Sequence, residues 1–111
     1  MNIRLMQMRA WQTSENHGFH NGEENLSVPV KLMLIVSEAA EALEEYRASK
    51  PVSYRNATKP DKPEGIAAEL ADIIIRVGDL AEILGFDLQE AVFEKMNYND
   101  SRPFMHGGKK I

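Results

Sequence analysis

The stretch KLMLIVSEAAEALEEYR, residues 31–47, decides the fold of this chain. Its apolar residues recur at intervals of three and four positions, which is the spacing of one face of an α-helix. With the preceding Val28, that face comprises Leu32, Ile35, Val36, Ala39, Leu43 and Tyr46. The pattern predicts a helix that begins after Ser27, a favourable N-cap residue, and ends near residue 48. The glutamates that follow the apolar run are Glu38, Glu41, Glu44 and Glu45. They form either a solvated acidic face or a group that converges on a cation.

Three further segments have helical periodicity, and no segment predicts a β-strand. These segments cover residues 2–16, 63–84 and 87–102. Gly85 separates the last two, and Pro103 ends the last one. Residues 49–62 contain prolines among polar residues and predict an irregular connection.

Four helices of this kind predict an all-α fold, a four-helix bundle in a single domain. The domain covers residues 1–111: an N-terminal helix and loop (1–25), a helical core (26–102) and an irregular tail (103–111). The apolar faces of the second and third helices are wide for a bundle of this size. We therefore expect oligomerisation to complete the bundle.

Composition excludes several classes of function. The chain has no cysteine, which rules out disulfides, thiolate metal sites and cysteine nucleophiles. Its net charge of −4 argues against nucleic acid or an anionic membrane as the main partner. No apolar segment reaches the roughly 18 residues of a membrane span, and the N-terminus lacks the apolar run of a signal peptide. We expect a cytoplasmic protein.

Two pairs of acids lie beside the apolar faces of consecutive helices. Glu38 and Glu41 share one helix face because they are three residues apart, and so do Glu69 and Asp72. Antiparallel packing of the two helices would bring the pairs face to face as a cage of oxygen ligands suited to Mg²⁺, with Mn²⁺ as a substitute. The alternative for each pair is a solvated helix face, which is what we expect for Glu44 and Glu45. A di-iron site is disfavoured because no predicted helix carries Glu-x-x-His.

Three motifs resemble those of a known family. KLMLIVSEAAE (residues 31–41), followed by ELAD (residues 69–72), resembles the ExxE…ExxD signature of the MazG-like all-α nucleoside triphosphate pyrophosphohydrolases. EKMNYNDSRPFMHGGK (residues 94–109) resembles the Lys…Asn…Arg ending of many small members. The resemblance covers about residues 26–108.

The resemblance implies Mg²⁺-dependent hydrolysis of a nucleoside triphosphate to the monophosphate and pyrophosphate by a homo-oligomer, either a dimer or a tetramer. The implied metal ligands and catalytic residues are Glu38, Glu41, Glu69 and Asp72. The implied substrate contacts are Lys95, Asn99 and Arg102, with a solvated last helical turn as the alternative.

Further substrate-binding candidates are Lys31, at a position often basic in the family, and Trp11, which could stack on a base. His20 and Asn25 in the loop after the first helix are similar candidates, and His106 could bind phosphate. The alternatives are a solvent-facing lysine, a core tryptophan and exposed loop histidines. No motif decides which base is preferred. The rival function is a non-catalytic helical interaction or regulatory module, whose stability would not respond to Mg²⁺.

Overall fold

A computed structural model of the chain describes residues 1–22 and 27–103. The helices are α1 (Ile3–Asn16), α2 (Val28–Arg47), α3 (Ile66–Leu84) and α4 (Leu88–Asp100). Two strands, β1 (Tyr54–Arg55) and β2 (Pro63–Glu64), form an antiparallel pair between α2 and α3. Each strand is only two residues long, so the structure confirms the predicted predominance of helix.

The strand pair corrects the expectation of an irregular connection without strands. Because β2 occupies its predicted beginning, α3 starts at Ile66. Gly65 sets this start, since its φ of +100° is unfavourable for other residues, and a Cβ there would lie 2.4 Å from the Val52 carbonyl oxygen. The Ala67 N–H donates to the same oxygen at 3.0 Å. This contact joins segments that helical periodicity does not connect.

Helix α3 is the centre of the fold, because α1 and α2 both pack along it while α4 packs on α1. Gly78 permits the close approach of α1. A Cβ at this position would lie 2.9 Å from Met6 Sδ and 3.3 Å from Gln7 Cα. The absence of a side chain at Gly78 therefore sets the distance between the two helices.

Gln7 joins α1 to the turn between α3 and α4. Its side chain is fully buried. Nε2 donates to Glu82 Oε1 at 2.9 Å and to the Phe86 carbonyl oxygen at 2.7 Å, and Oε1 accepts from the Leu88 N–H at 2.9 Å. One amide thus satisfies two backbone groups at a helix junction, which buried backbone requires.

Local signals set the boundary between α3 and α4, where Gly85 was predicted to separate them. Gly85 ends α3 in the left-handed conformation, with φ +79°. Asp87 caps α4 by accepting a hydrogen bond from the Glu90 N–H at 3.2 Å. The helix ends at Asp100, slightly earlier than predicted.

The buried apolar residues in the described ranges are few and small. They are Ala10, Leu80 and Ala81. Large apolar side chains on α2 that are about half exposed or more include Leu32, Met33, Val36, Leu43 and Tyr46. Within the described residues, no helix combines the length and apolar character needed to cross a membrane.

Candidate metal centre

Helices α2 and α3 bring three of the four predicted ligands together. One carboxylate oxygen from each of Glu38, Glu41 and Glu69 lies within 4.8 Å of the others. Glu38 of α2 contacts Arg76 of α3, and Lys31, which precedes Glu38 on α2, contacts Asp79, which follows Arg76 on α3. The two helices are therefore antiparallel at this point. The predicted face-to-face arrangement of these three acids is therefore present.

The fourth predicted ligand, Asp72, lies one turn beyond Glu69 at the edge of this group. The residue is exposed, yet its pKa is raised above the ordinary value. Desolvation is the largest cause of this rise, and the negative charge of Glu38 is the second. The positive charge of Arg76 opposes this shift. Asp72 therefore feels the field of the cluster. We use the term carboxylate cluster for Glu38, Glu41, Glu69 and Asp72.

Two oxygens of the cluster are buried without a hydrogen-bond partner among the described residues. They are Glu38 Oε2 and Glu69 Oε2. Glu38 is only 6% exposed, and its other oxygen accepts from Arg76 Nε at 3.0 Å. Unpartnered buried carboxylate oxygens are strongly unfavourable, and a divalent cation between them removes the penalty. Oxygen ligands of this kind and number fit Mg²⁺ or Mn²⁺.

The cluster holds a proton in the metal-free protein. Burial, and then the hydrogen bonds to Glu38 and Glu41, raise the pKa of Glu69 to about 8. Desolvation acts in the same direction on Glu38, but hydrogen bonds from Glu69 and Arg76 and the guanidinium charge outweigh it and hold the pKa of Glu38 below its ordinary value. Near neutral pH, Glu69 is therefore the protonated partner of an ionised Glu38.

We expect the metal-free protein to lose stability as pH rises from about 5 to 8. The pKa of Glu69 is 4.5 when unperturbed and about 8 in the fold, so the folded state binds more protons across this interval. Stability falls with rising pH wherever the folded state holds the extra proton. Thermal melts with chelator across this range should show the decline, and Glu69→Gln should flatten it. Equal slopes for the two proteins would contradict the assignment.

Two cavities adjoin the carboxylate cluster. The outer cavity, of about 690 Å³, is lined by Glu41 and Glu69 and by the end of α2 with Tyr54. The inner cavity, of about 400 Å³, lies between α1, α2 and α3 and is lined by Glu38 and Asp72. The cluster therefore stands where the two cavities approach each other.

Glu44 and Glu45 behave differently from each other. Glu44 is exposed and pairs with Arg47 at 3.0 Å, which confirms the solvated face expected there. Glu45 is half-buried and accepts hydrogen bonds from the Tyr54 hydroxyl at 2.9 and 3.0 Å, which corrects the expectation of a solvated side chain. The bonds tie β1 to α2 beside the outer cavity.

The expectation of an exposed His20 is wrong. The side chain is buried, with Nδ1 2.6 Å from Glu15 Oε2 and Nε2 2.8 Å from Asp79 Oδ1. Both ring nitrogens are thus engaged within the chain, which leaves neither to contact a base. The half-buried Trp11 packs against the imidazole, with ring centroids 5.2 Å apart.

Lys31 is also buried rather than solvent-facing. Its Nζ lies 3.4 Å from Asp79 Oδ2 at the wall of the inner cavity. It therefore remains a candidate for substrate contact from inside that cavity. The sequence pattern did not single out Asp79, whose carboxylate connects α3 to both Lys31 and His20.

The remaining predicted contacts lie elsewhere. Lys95, Asn99 and Arg102 line neither cavity; the Lys95 Nζ and the Arg102 Cζ lie 5.1 and 5.9 Å from the centre of the Tyr98 ring. One copy of the chain does not bring them to the carboxylate cluster. Asn25 and His106 lie outside the described residues.

Sequence reasoning missed Arg76, although a signal was present. Arg76 is four residues after Asp72 and seven after Glu69, so it shares their helix face. Tyr54 carried no such signal, because its place beside Glu45 depends on the strand pair.

Comparison with known proteins gives no relative: no family model, no curated protein and no solved structure matches this chain. The site itself is a carboxylate cluster on two antiparallel helices, with buried oxygens of Glu38 and Glu69.

Proposed function

We propose that this protein is a Mg²⁺-dependent nucleoside triphosphate pyrophosphohydrolase, with Mn²⁺ as a substitute ion. The observation that carries the proposal is the pair of buried, unpartnered oxygens of Glu38 and Glu69 inside a group of convergent carboxylates. The ExxE…ExxD resemblance of the same residues supports the choice of substrate class.

The reaction needs little from the protein beyond positioning and charge. A water oxygen attacks the α-phosphorus, the bond from that phosphorus to the bridging oxygen breaks, and its electron pair leaves with pyrophosphate. One carboxylate of the cluster takes the proton of the water, and the nucleoside monophosphate remains. A bound divalent ion would offset the negative charge on the phosphate oxygens.

Arg76 has a positioning part in this scheme. Its Nε bond to Glu38 Oε1 fixes that carboxylate, so that Oε2 is the oxygen left for the cation. Partners of this kind orient metal ligands and are important to affinity. The arginine also keeps Glu38 ionised, which a metal ligand must be.

The inner cavity suits the nucleoside. Its volume of about 400 Å³ lies within the range of small-molecule sites, and its walls include the apolar Val30, Leu34 and Ile75. Glu38 and Asp72 at its edge place it next to the cluster. Lys31, Asp79, Thr13 and Ser14 add polar groups to the lining of the same pocket.

A second copy of the chain belongs to the proposal. Large apolar side chains on α2 lie about half exposed or more, among them Leu32, Val36 and Tyr46. Residues spaced four and three apart form a seam on α2 like that of a coiled coil: Leu32, Val36, Ala39, Leu43 and Tyr46. Pairing of such seams would bury them.

Sedimentation of the purified chain should give the mass of a dimer or a tetramer, because a monomer would leave this seam in water. The matching control is Val36→Lys, which should shift the population towards smaller species. Met33→Lys changes an exposed α2 residue outside the seam and should shift it less. A monomeric wild-type chain would contradict the proposal.

The decisive experiment is a nucleotide panel. Each ribo- and deoxyribonucleoside triphosphate is incubated with the protein, with Mg²⁺ or with chelator, and pyrophosphate is separated from single phosphate. Pyrophosphate release that requires the metal supports the function, and the best substrate identifies the base. Silence from the folded protein across the panel, together with no effect of Mg²⁺ on its melting, would favour the non-catalytic module. A housekeeping role in the cytoplasmic nucleotide pool follows from the proposed reaction.

A further inference from the structure

The outer cavity is lined by a basic side chain that has no ion-pair partner among the described residues. Two basic residues line this cavity, Arg47 and Lys50. Arg47 pairs with the exposed Glu44 at 3.0 Å, whereas Lys50 makes no ion pair with any described residue. The ammonium group of Lys50 is therefore free to meet an anion in a cavity that Glu41 and Glu69 also line.

The strand pair contributes a lining residue to the outer cavity. Tyr54 in β1 lines the cavity, and its hydroxyl donates to Glu45 Oε2 at 2.9 Å, which holds this connection against α2. Lys62, which immediately precedes β2, pairs with Glu64 Oε1 at 3.1 Å and lines neither cavity. Lys50 is therefore the lining cation that is available to an anion.

We propose that the outer cavity binds the pyrophosphate leaving group, with Lys50 as its principal contact. This inference rests on the proposed function and deepens it. It assigns the two cavities opposite ends of the substrate. The nucleoside occupies the inner cavity, the α-phosphorus lies at the carboxylate cluster, and the two terminal phosphates extend into the outer cavity.

The chemistry of the leaving group favours a substrate orientation with the terminal phosphates in the outer cavity. When the bond to the α-phosphorus breaks, its electron pair stays on the bridging oxygen, so the pyrophosphate gains negative charge at that moment. An ammonium group near the developing charge stabilises it. The inner cavity lies between three helices and is the less open of the two, whereas the outer cavity is more open to solvent and can release a charged product.

The test measures binding of inorganic pyrophosphate to the full chain by calorimetry in the presence of Mg²⁺. Lys50→Gln should weaken binding about tenfold, the effect of losing one charge-assisted hydrogen bond. Lys50→Arg keeps the charge and should remain close to wild type. Lys59→Gln removes the same charge from the neighbouring connection but does not line the cavity, so it should change binding little. The rise in melting temperature with Mg²⁺ should be the same in all four proteins.

The outcomes separate this inference from the function on which it rests. Equal pyrophosphate affinity for Lys50→Gln and Lys59→Gln, or no binding by the wild type, overturns the inference even where the nucleotide panel succeeds. Pyrophosphate binding that depends on Lys50 supports the site even where the panel shows no hydrolysis, in which case the proposed reaction falls and the anion site stands.

Discussion

Glu38→Gln should lower turnover more than about 100-fold while the protein remains folded. The change removes one negative ligand from the cluster, and even the outer partners of metal ligands are worth 10- to 100-fold. The fold should survive, because a glutamine oxygen can still accept from Arg76 Nε as Glu38 Oε1 does. Steady-state rates with saturating Mg²⁺, using the best substrate of the nucleotide panel, provide the measurement.

Two further readings make this result specific. Without metal, Glu38→Gln should melt at a somewhat lower temperature than the wild type, because the low pKa of Glu38 beside Arg76 means that its ionised form stabilises the fold. The rise in melting temperature with Mg²⁺ should be largely lost. Glu44→Gln is the matched control on the same helix, because Glu44 is exposed and pairs only with Arg47 among the described residues. A Glu38→Gln protein with near-normal turnover would show that the cluster is not the metal site.

The largest effect on stability is expected from Gln7→Leu. Leucine has a similar size, but it removes three hydrogen bonds and leaves the part-buried Phe86 carbonyl and Leu88 N–H without their partner. A hydrogen bond contributes about 0.5–1.5 kcal/mol and an unsatisfied buried group costs about 1–3 kcal/mol, so a loss of about 3 kcal/mol is expected. Urea unfolding of the metal-free protein measures it.

Gln12→Leu is the control for this prediction. Gln12 lies on the same helix but is exposed, and among the described residues its amide bonds only to Asn16, at 2.9 Å. Its replacement should change stability by less than about 0.5 kcal/mol, as is usual for surface positions. Similar midpoints for the two variants would mean that the junction between α3 and α4 does not depend on Gln7.

Helix positions followed from local periodicity, because each helix carries its own repeating apolar face. The meeting of Glu38, Glu41 and Glu69 was predictable for the same reason: i, i+3 spacing fixes the direction of each pair, and antiparallel packing does the rest. The strand pair was not predictable. Strands of two residues are too short to show an alternating pattern. The positive φ of Gly65 goes with its close approach to the Val52 carbonyl, and Val52 precedes it in a segment that has no helical periodicity.

Buried polar residues were the other gap. Glutamine and lysine are usually exposed and histidine is intermediate, so residue type alone does not place Gln7, His20 and Lys31 in the interior. Each is buried because partners on another helix satisfy it: Glu82 for Gln7, and Asp79 for the other two. Sequence spacing within one helix contains no information about such partners. The place of Lys95 on α4, away from the cluster, has the same origin, since the packing of α4 on α1 is set by tertiary contacts.

The buried oxygens of Glu38 and Glu69 have a consequence for the life of the protein in a cell. A site that is unfavourable when empty and favourable when filled makes the folded fraction depend on the free concentration of its ion. Proteases degrade the unfolded fraction, so a change of 1–2 kcal/mol alters abundance several-fold. If the cluster binds its cation as proposed, scarcity of that ion would shorten the lifetime of the chain. The cell would then contain less of the protein, in addition to any loss of turnover per molecule.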